Sequence, residues 1–394
     1  MERVGNHSLM IVAGEASGDA HAASLVAALR EQDSSLTFFG ATGQKMRAAE
    51  VESVVRTDEL AITGLLEIGG ALPRFWRAYR ELVAAAADRR PAAVVLVDWP
   101  DFNLRLARAL RRRQIKVIYY ISPQLWAWRA YRLRNIRRDV DLLLAILPFE
   151  VDWYRARGVT HVEYVGHPLV GSVRPKMTRE VFCRAHNLDA GHPLIALLPG
   201  SRRKELHHNL PPMLRAAAII RRARSDAQFV LALAAALPPA EAHPIIEAAR
   251  ESDIAVSDLP LLMVRDETRE ALAAADAAAV ASGTATLEAA MIGTPLVVVY
   301  KESSLNWHTL RRLIAVEHFG LVNLLAGERL APELMQNDLT PDRLSAELLA
   351  LLEPEKNQLM RARLAETIAA LGNQNPMPRT AKSILEFIRR RRAP

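Results

Sequence analysis

Several short segments carry residues able to do chemistry, and most follow directly on a short apolar run. Asp98, in Asp98-Trp-Pro-Asp101-Phe-Asn103, can accept a proton from a substrate hydroxyl. It stands too early to cap the following helix, whereas Asp101 and Asn103 suit that capping role. Gly14-Glu15-Ala-Ser-Gly18-Asp19 offers a tight turn and close ligand approach, with Ser17 or Asp19 as a plain helix cap the competing reading. It is neither a P-loop nor the Rossmann glycine pattern. Gly200-Ser201-Arg202 at a strand-to-helix turn suits a phosphate: backbone N–H groups and a helix N-terminus attract the anion, and an arginine fork grips its oxygens. Cations before a helix are also ordinary solvated surface. In Ser282-Gly283-Thr284-Ala-Thr-Leu-Glu288, hydroxyls and amides suit a diphosphate. Glu288 stands one helical turn beyond Thr284 on the same face, where a carboxylate suits ribose hydroxyls. A cap at Ser282 beside an unrelated acid explains part of this string. Asn323 lies among apolar residues and needs partners if buried, whether a ligand or a backbone. Trp126 and Trp128 either shape a pocket or pack in a core.

These residues need a scaffold that gathers strand ends. Apolar runs at residues 9–13, 36–39, 93–97, 116–121, 141–146 and 162–165 read as strands. Helix-length segments such as 20–30, 104–113 and 130–138 lie between them. The alternation resumes at 194–198, 229–233, 277–281 and 296–299. Strand–helix alternation implies mostly parallel sheets covered on both faces, and ligands at the carboxyl ends of the strands. The rhythm breaks in a turn-forming stretch near 167–178. The expected division is an N-terminal Rossmann-like domain over 1–170, a second over 171–355, and a helical extension over 356–394.

Bulk properties narrow the partners. The 394 residues carry a net charge of +7, which suits an anionic partner, and hold one cysteine, Cys183, so no intrachain disulfide forms. Residues 1–8 lack a basic-then-apolar signal pattern, and no apolar stretch reaches the length of a membrane span. The expectation is a cytoplasmic protein. No metal site is expected. His207 and His208 are adjacent and diverge on a helix, and Asp139-Val-Asp141 opens a predicted strand, the wrong end of the sheet for a metal–diphosphate site. No helix-turn-helix, RRM or zinc signature supports nucleic acid as the partner.

Taken in order, the segments above, with Leu147-Pro-Phe-Glu150, Val165-Gly-His-Pro168 and Asn323-Leu-Leu-Ala-Gly327, resemble the lipid-A-disaccharide synthases of Gram-negative bacteria over nearly the whole chain. The chain departs from that pattern at Val322, where the family carries proline, and is less similar over 373–381. The resemblance implies an α/β GT-B fold: two Rossmann-like doubly wound domains with an interdomain cleft. It implies an inverting, metal-independent transfer with no cofactor. The donor is UDP-2,3-diacylglucosamine and the acceptor 2,3-diacylglucosamine 1-phosphate. The products are a β-1′,6-linked disaccharide 1-phosphate and UDP. Carried over by motif, Asp98 is the general base, Glu15 and Asn323 line the cleft, and Ser201, Arg202, Ser282, Gly283, Thr284 and Glu288 hold the UDP. The family works peripherally at the cytoplasmic face of the inner membrane, and a homodimer is compatible with it. The apolar stretch with Leu65, Leu66, Ile68 and Leu72, followed by Trp76 among arginines, suits a membrane-surface element. A buried helix followed by a solvated one fits the same pattern. A UDP-N-acetylglucosamine 2-epimerase-like enzyme and a non-catalytic UDP-binding module are the competing functions.

Overall fold

The computed structural model describes residues 7–60, 68–302 and 317–390. The chain divides into two compact units, residues 1–170 with 373–394, and residues 171–372.

The first unit is built on seven parallel strands: β1 (Ser8–Ala13), β2 (Thr37–Thr42), β3 (Glu52–Arg56), β4 (Ala93–Val97), β5 (Val117–Tyr120), β6 (Leu142–Ala145) and β7 (Val162–Tyr164). Their order across the sheet is β3-β2-β1-β4-β5-β6-β7. Continuous apolar runs such as Ala-Val-Val-Leu-Val in β4 arise because both faces are covered. Val94 and Leu96 enter one core with Met10 and Val12, while Ala93, Val95 and Val97 enter the opposite core with Leu9 and Ile11.

The second unit repeats the plan with six strands: β8 (Leu194–Leu198), β9 (Gln228–Leu233), β10 (Leu261–Arg265), β11 (Ala277–Ala281), β12 (Leu296–Tyr300) and β13 (Glu333–Met335). Their order is β10-β9-β8-β11-β12-β13, again with parallel pairs throughout. In each sheet the winding reverses between the first and fourth strands, β1/β4 and β8/β11. Such switch points open a crevice beyond the strand ends.

Three strands escape the sequence reading: β3, β10 and β13. Two are partly exposed edge strands with mixed residues, and the third spans only three residues. The expected helical extension over 356–394 is also corrected. The helix Pro354–Ala369 stays with the second unit, Gly372 turns the chain in the left-handed region at φ +81°, and Met377–Arg390 packs on the first unit. Met377, Thr380, Ala381, Ile384, Leu385 and Ile388 make one buried stripe at helical spacing. That stripe joins the core around Leu25 and Leu29 of the helix Ala16–Gln32, and the Tyr120 hydroxyl reaches Met377 Sδ at 3.8 Å.

Ile384 is fully buried in this stripe. Ile384→Ala should therefore cost about 2–4 kcal/mol. Urea unfolding followed by tryptophan fluorescence checks this, since five of the six tryptophans belong to the first unit. An unchanged midpoint would mean that the last helix is not part of that unit's core.

Candidate functional site

At the β1/β4 switch point the chain leaves β1 through Gly14-Glu15 and β4 through Asp98-Trp99. Asp98 (φ +49°) and Trp99 (φ +50°) are consecutive non-glycine residues in the left-handed region, a conformation costing about 1–2 kcal/mol each. Several contacts hold them there. The Asp98 amide donates to Tyr120 O at 3.0 Å. The Asp98 carbonyl accepts from the Tyr119 hydroxyl at 2.6 Å and from Asn103 Nδ2 at 2.8 Å. The Trp99 ring stacks on Phe102, with centroids 4.1 Å apart and planes 10° apart, and lies over Gly14. A Cβ at Gly14 would come 2.0 Å from that ring, so only glycine lets the indole close over the end of β1.

This packing sets the chemistry of Asp98. Burial, then the like charge of Glu15, push its carboxyl up to about 6, against a smaller opposing effect of the Trp99 amide, which donates to it. At neutral pH the group is still mostly ionised, yet it binds a proton far better than an ordinary carboxylate. Glu15 is exposed and stands at the N-cap of the helix Ala16–Gln32 without capping it.

The neighbouring Asn103, Asp101 and Asp19 differ from their capping expectations. Asn103 donates to the carbonyls of Val97 and Asp98 rather than accepting from the helix amides. Pro100 opens that helix without an N–H to offer. Asp101 pairs with Arg129 and Arg132. Asp19 is buried and accepts from the amides of Gly43, Lys45 and Met46, so it caps the next helix instead of its own. Trp126 is a core residue whose indole N–H donates to buried Glu150 at 3.0 Å.

At the β8/β11 switch point, Ser201, Arg202, Ser282, Gly283, Thr284 and Glu288 all line one cavity of about 580 Å³. Its two helix N-termini are not equivalent. The helix Arg203–Ala223 is closed by its own Glu205, whose Oε2 accepts from the amides of Ser201 at 2.9 Å and Arg202 at 3.3 Å. Those amides, expected to meet a phosphate, are already satisfied. What this loop presents is the Arg202 guanidinium, on a side chain 75 % exposed. The helix Thr284–Ile292 has Gly283 at its N-cap (φ +150°), with no side-chain cap. Among the described residues, chain neighbours aside, no heavy atom lies within 4 Å of where a Gly283 Cβ would stand, so these residues leave the space beside this N-terminus open. The Ser282 hydroxyl is committed to Phe319 O at 2.8 Å. Both Nε and Nη2 of Arg269 donate to a single oxygen of Glu288, Oε1, at 3.1 and 2.9 Å.

A family model described as lipid-A-disaccharide synthetase matches residues 9–387. The lipid-A-disaccharide synthase of Geobacter sulfurreducens is 40% identical over 384 residues, covering 97% of this chain and 98% of the relative. That of Anaeromyxobacter dehalogenans is 42% identical over 382 residues, covering 97% of each. The chain belongs to the lipid-A-disaccharide synthase family. Among solved structures it is similar to the UDP-GlcNAc 2-epimerase of Neisseria meningitidis bound to UDP-GlcNAc, with a TM-score of 0.64 and 13% identity over 97% of this chain and all of that one. It is also similar to Acinetobacter baumannii MurG, with a TM-score of 0.56 and 15% identity over 97% and 99%. At that identity these likenesses show the fold alone, the two-unit α/β GT-B class.

Within the family frame, Asn323 needs correction. It is fully buried; Nδ2 donates to Ala331 O and to Glu333 Oε1, both at 2.8 Å, and Oδ1 accepts from the Ala331 amide. Its amide knits the helix Leu321–Ala326 to β13, and with both N–H donors spent and the side chain fully buried it serves the fold rather than a ligand. Leu65 and Leu66 lie outside the described residues, as do the side chains of Ile68 and Leu72 in the first turns of the helix Ile68–Arg89. Trp76 on that helix is 57 % exposed and packs edge-on against Tyr79. The sequence does not single out Arg174, Lys176 and Arg269, which line the second unit's cavity. Nothing in their local sequence marks them, because only the fold brings them to the β8/β11 crevice.

Gly14→Ala should destabilise the chain by about 1–3 kcal/mol through overpacking against Trp99. It should also displace the Asp98 loop. Chemical denaturation with near-UV circular dichroism checks both, and a variant as stable as the original with an unaltered indole signal would refute the close packing.

Proposed function

We propose that the chain transfers 2,3-diacylglucosamine from UDP-2,3-diacylglucosamine to the 6-hydroxyl of 2,3-diacylglucosamine 1-phosphate. The products are the β-1′,6-linked disaccharide 1-phosphate and UDP. Family membership supports the reaction, and the observation that carries its mechanism is the partly desolvated Asp98 at the first unit's switch point.

In this reading Asp98 accepts the proton of the acceptor 6-hydroxyl as its oxygen attacks C1 of the donor sugar. The C1–O bond to UDP breaks on the opposite face, which inverts the anomeric centre. The leaving diphosphate is met by the uncapped N-terminus at Gly283 and Thr284 and by the Arg202 guanidinium. Glu288, steadied by Arg269 through one oxygen, receives the ribose hydroxyls on the other. Ser201 and Ser282 line the same pocket, Ser282 by its position rather than its hydroxyl.

Both substrates carry acyl chains, so the chain is proposed to work peripherally at the inner-membrane surface. Among the described residues no helix is long and apolar enough to cross a membrane. Exposed Trp76, with exposed Arg74, Arg77 and Arg80 on the same helix, supports a surface contact.

The test is transfer between the two acylated substrates in the presence of EDTA. Asp98→Asn should lower kcat by about 10²–10⁴-fold. It should also raise Tm at pH 8, because an ionised Asp98 with a pKa of about 6 costs the fold about 3 kcal/mol relative to its ordinary value, a cost that vanishes below about pH 4. Arg202→Ala should lower kcat/KM about 10–100-fold. Epimerisation of UDP-N-acetylglucosamine without disaccharide, or UDP binding with no turnover, would contradict the reading.

A further inference from the structure

A second charged cluster lies at the carboxyl edge of the first sheet, beside Asp98. Arg129 and Arg132 stand in the segment after β5, and both grip the Asp101 carboxylate, Arg129 through Nη1 at 2.9 Å and Arg132 through Nη2. One carboxylate between two guanidiniums leaves an excess positive charge. Neither arginine is a loose surface cation: their side chains are 29 % and 14 % exposed. The Arg129 guanidinium carbon sits 4.1 Å from the centroid of the Trp128 ring, and its backbone is in the left-handed region at φ +58°. Stacking and Asp101 thus fix the plane of the fork before any ligand arrives, which reduces the entropy lost on binding. Arg129 spends only Nη1 on Asp101, which leaves Nη2 and Nε able to donate to an oxyanion.

The cluster adjoins the proposed base. The Tyr119 hydroxyl, which donates to the Asp98 carbonyl, feels the charges of both Arg132 and Asp101. This matters because the acceptor brings a phosphate to an edge already holding Asp98 and Glu15. A dianion placed there without a cation would be repelled by both carboxylates. On a glucosamine 1-phosphate the reacting hydroxyl is on C6 and the phosphate on C1, at opposite ends of one sugar. The ligand therefore calls for a base and a separate anion seat side by side.

We propose that Arg129 and Arg132 are that seat: they bind the phosphate monoester of the acceptor and orient its 6-hydroxyl toward Asp98. The assignment rests on the transfer reading above. Asp101 serves as the positioning residue that holds the two forks apart and aimed.

The experiment compares acceptor bearing the 1-phosphate with the same diacylglucosamine lacking it, in neutral detergent micelles, for the unmodified chain, Arg129→Gln and Arg129→Lys. The unmodified chain should prefer the phosphorylated acceptor. Arg129→Gln should shrink that preference, measured as the ratio of kcat/KM values, by about 10-fold or more, mainly through KM. Arg129→Lys, which keeps the charge but not the fork, should recover part of it. Equal losses on both acceptors, or an unaltered ratio, would overturn the assignment. Pelleting with phosphatidylglycerol vesicles separates the other source of phosphate: a variant that loses pelleting but keeps the acceptor ratio would show a headgroup site and also overturn it. No disaccharide from the unmodified chain would instead remove the transfer reading, and this assignment with it.

Discussion

The closing of the Trp99 indole over Gly14 is the contact on which the first half-site depends. It ties the end of β1 to the end of β4 across the switch point and holds two residues in a backbone conformation they would otherwise avoid. Asp98 is itself largely buried at this junction, and that burial is the larger cause of its carboxyl's raised pKa. Glu15 adds to the effect from the next loop. A structural constraint at the centre of the sheet thus becomes a chemical property of its edge. Phe75, from the helix Ile68–Arg89, packs 6.0 Å from the same indole, so the proposed membrane-facing helix shares its packing with the base.

The second unit uses the same plan for a different end. Its two helix N-termini at the β8/β11 edge have diverged in what they leave unsatisfied. Glu205 consumes the amides at Ser201 and Arg202, and the neighbouring arginine supplies charge through its side chain. At Gly283 no side chain among the described residues caps the helix, and the space these residues leave open beside it suits a diphosphate. In the proposed reading, one fold used twice offers a proton acceptor in one unit and anion stabilisers in the other, the two functions an inverting transfer requires.

The central strands were legible because burial on both faces writes itself as an unbroken apolar run: residues 93–97, 194–198 and 277–281 were bounded as the structure bounds them. The partly exposed, mixed-residue edge strands β3 and β10 and the three-residue β13 carry no such signature and went unread, whereas the edge strand β7 was legible at 162–165. The loops after the central strands were legible by the same logic, since the fold class puts ligands there. What those residues do with their atoms was not. The Ser282 hydroxyl proved to be committed to a backbone carbonyl, Asn323 to the Ala331 backbone and the Glu333 carboxylate, and Glu205 took the amides assigned to a phosphate. These are hydrogen-bond choices made among groups distant or differently oriented in the fold, and residue type does not encode them. The last helix was legible as a helix, but its return to the first unit depended on a partner stripe on Ala16–Gln32 more than 340 residues away.

The most direct test of this account is the pH dependence of kcat/KM for the unmodified chain and Glu15→Gln. As the proposed base, Asp98 with a pKa of about 6 is effective above that pH and disabled as the pH falls through it. The unmodified chain should therefore lose activity on an acid limb near pH 6. Removing the Glu15 charge should let Asp98 ionise more readily and move that limb to lower pH. An acid limb near pH 4 in the unmodified chain, or one that Glu15→Gln leaves in place, would contradict the coupling of these two carboxylates at the heart of the site.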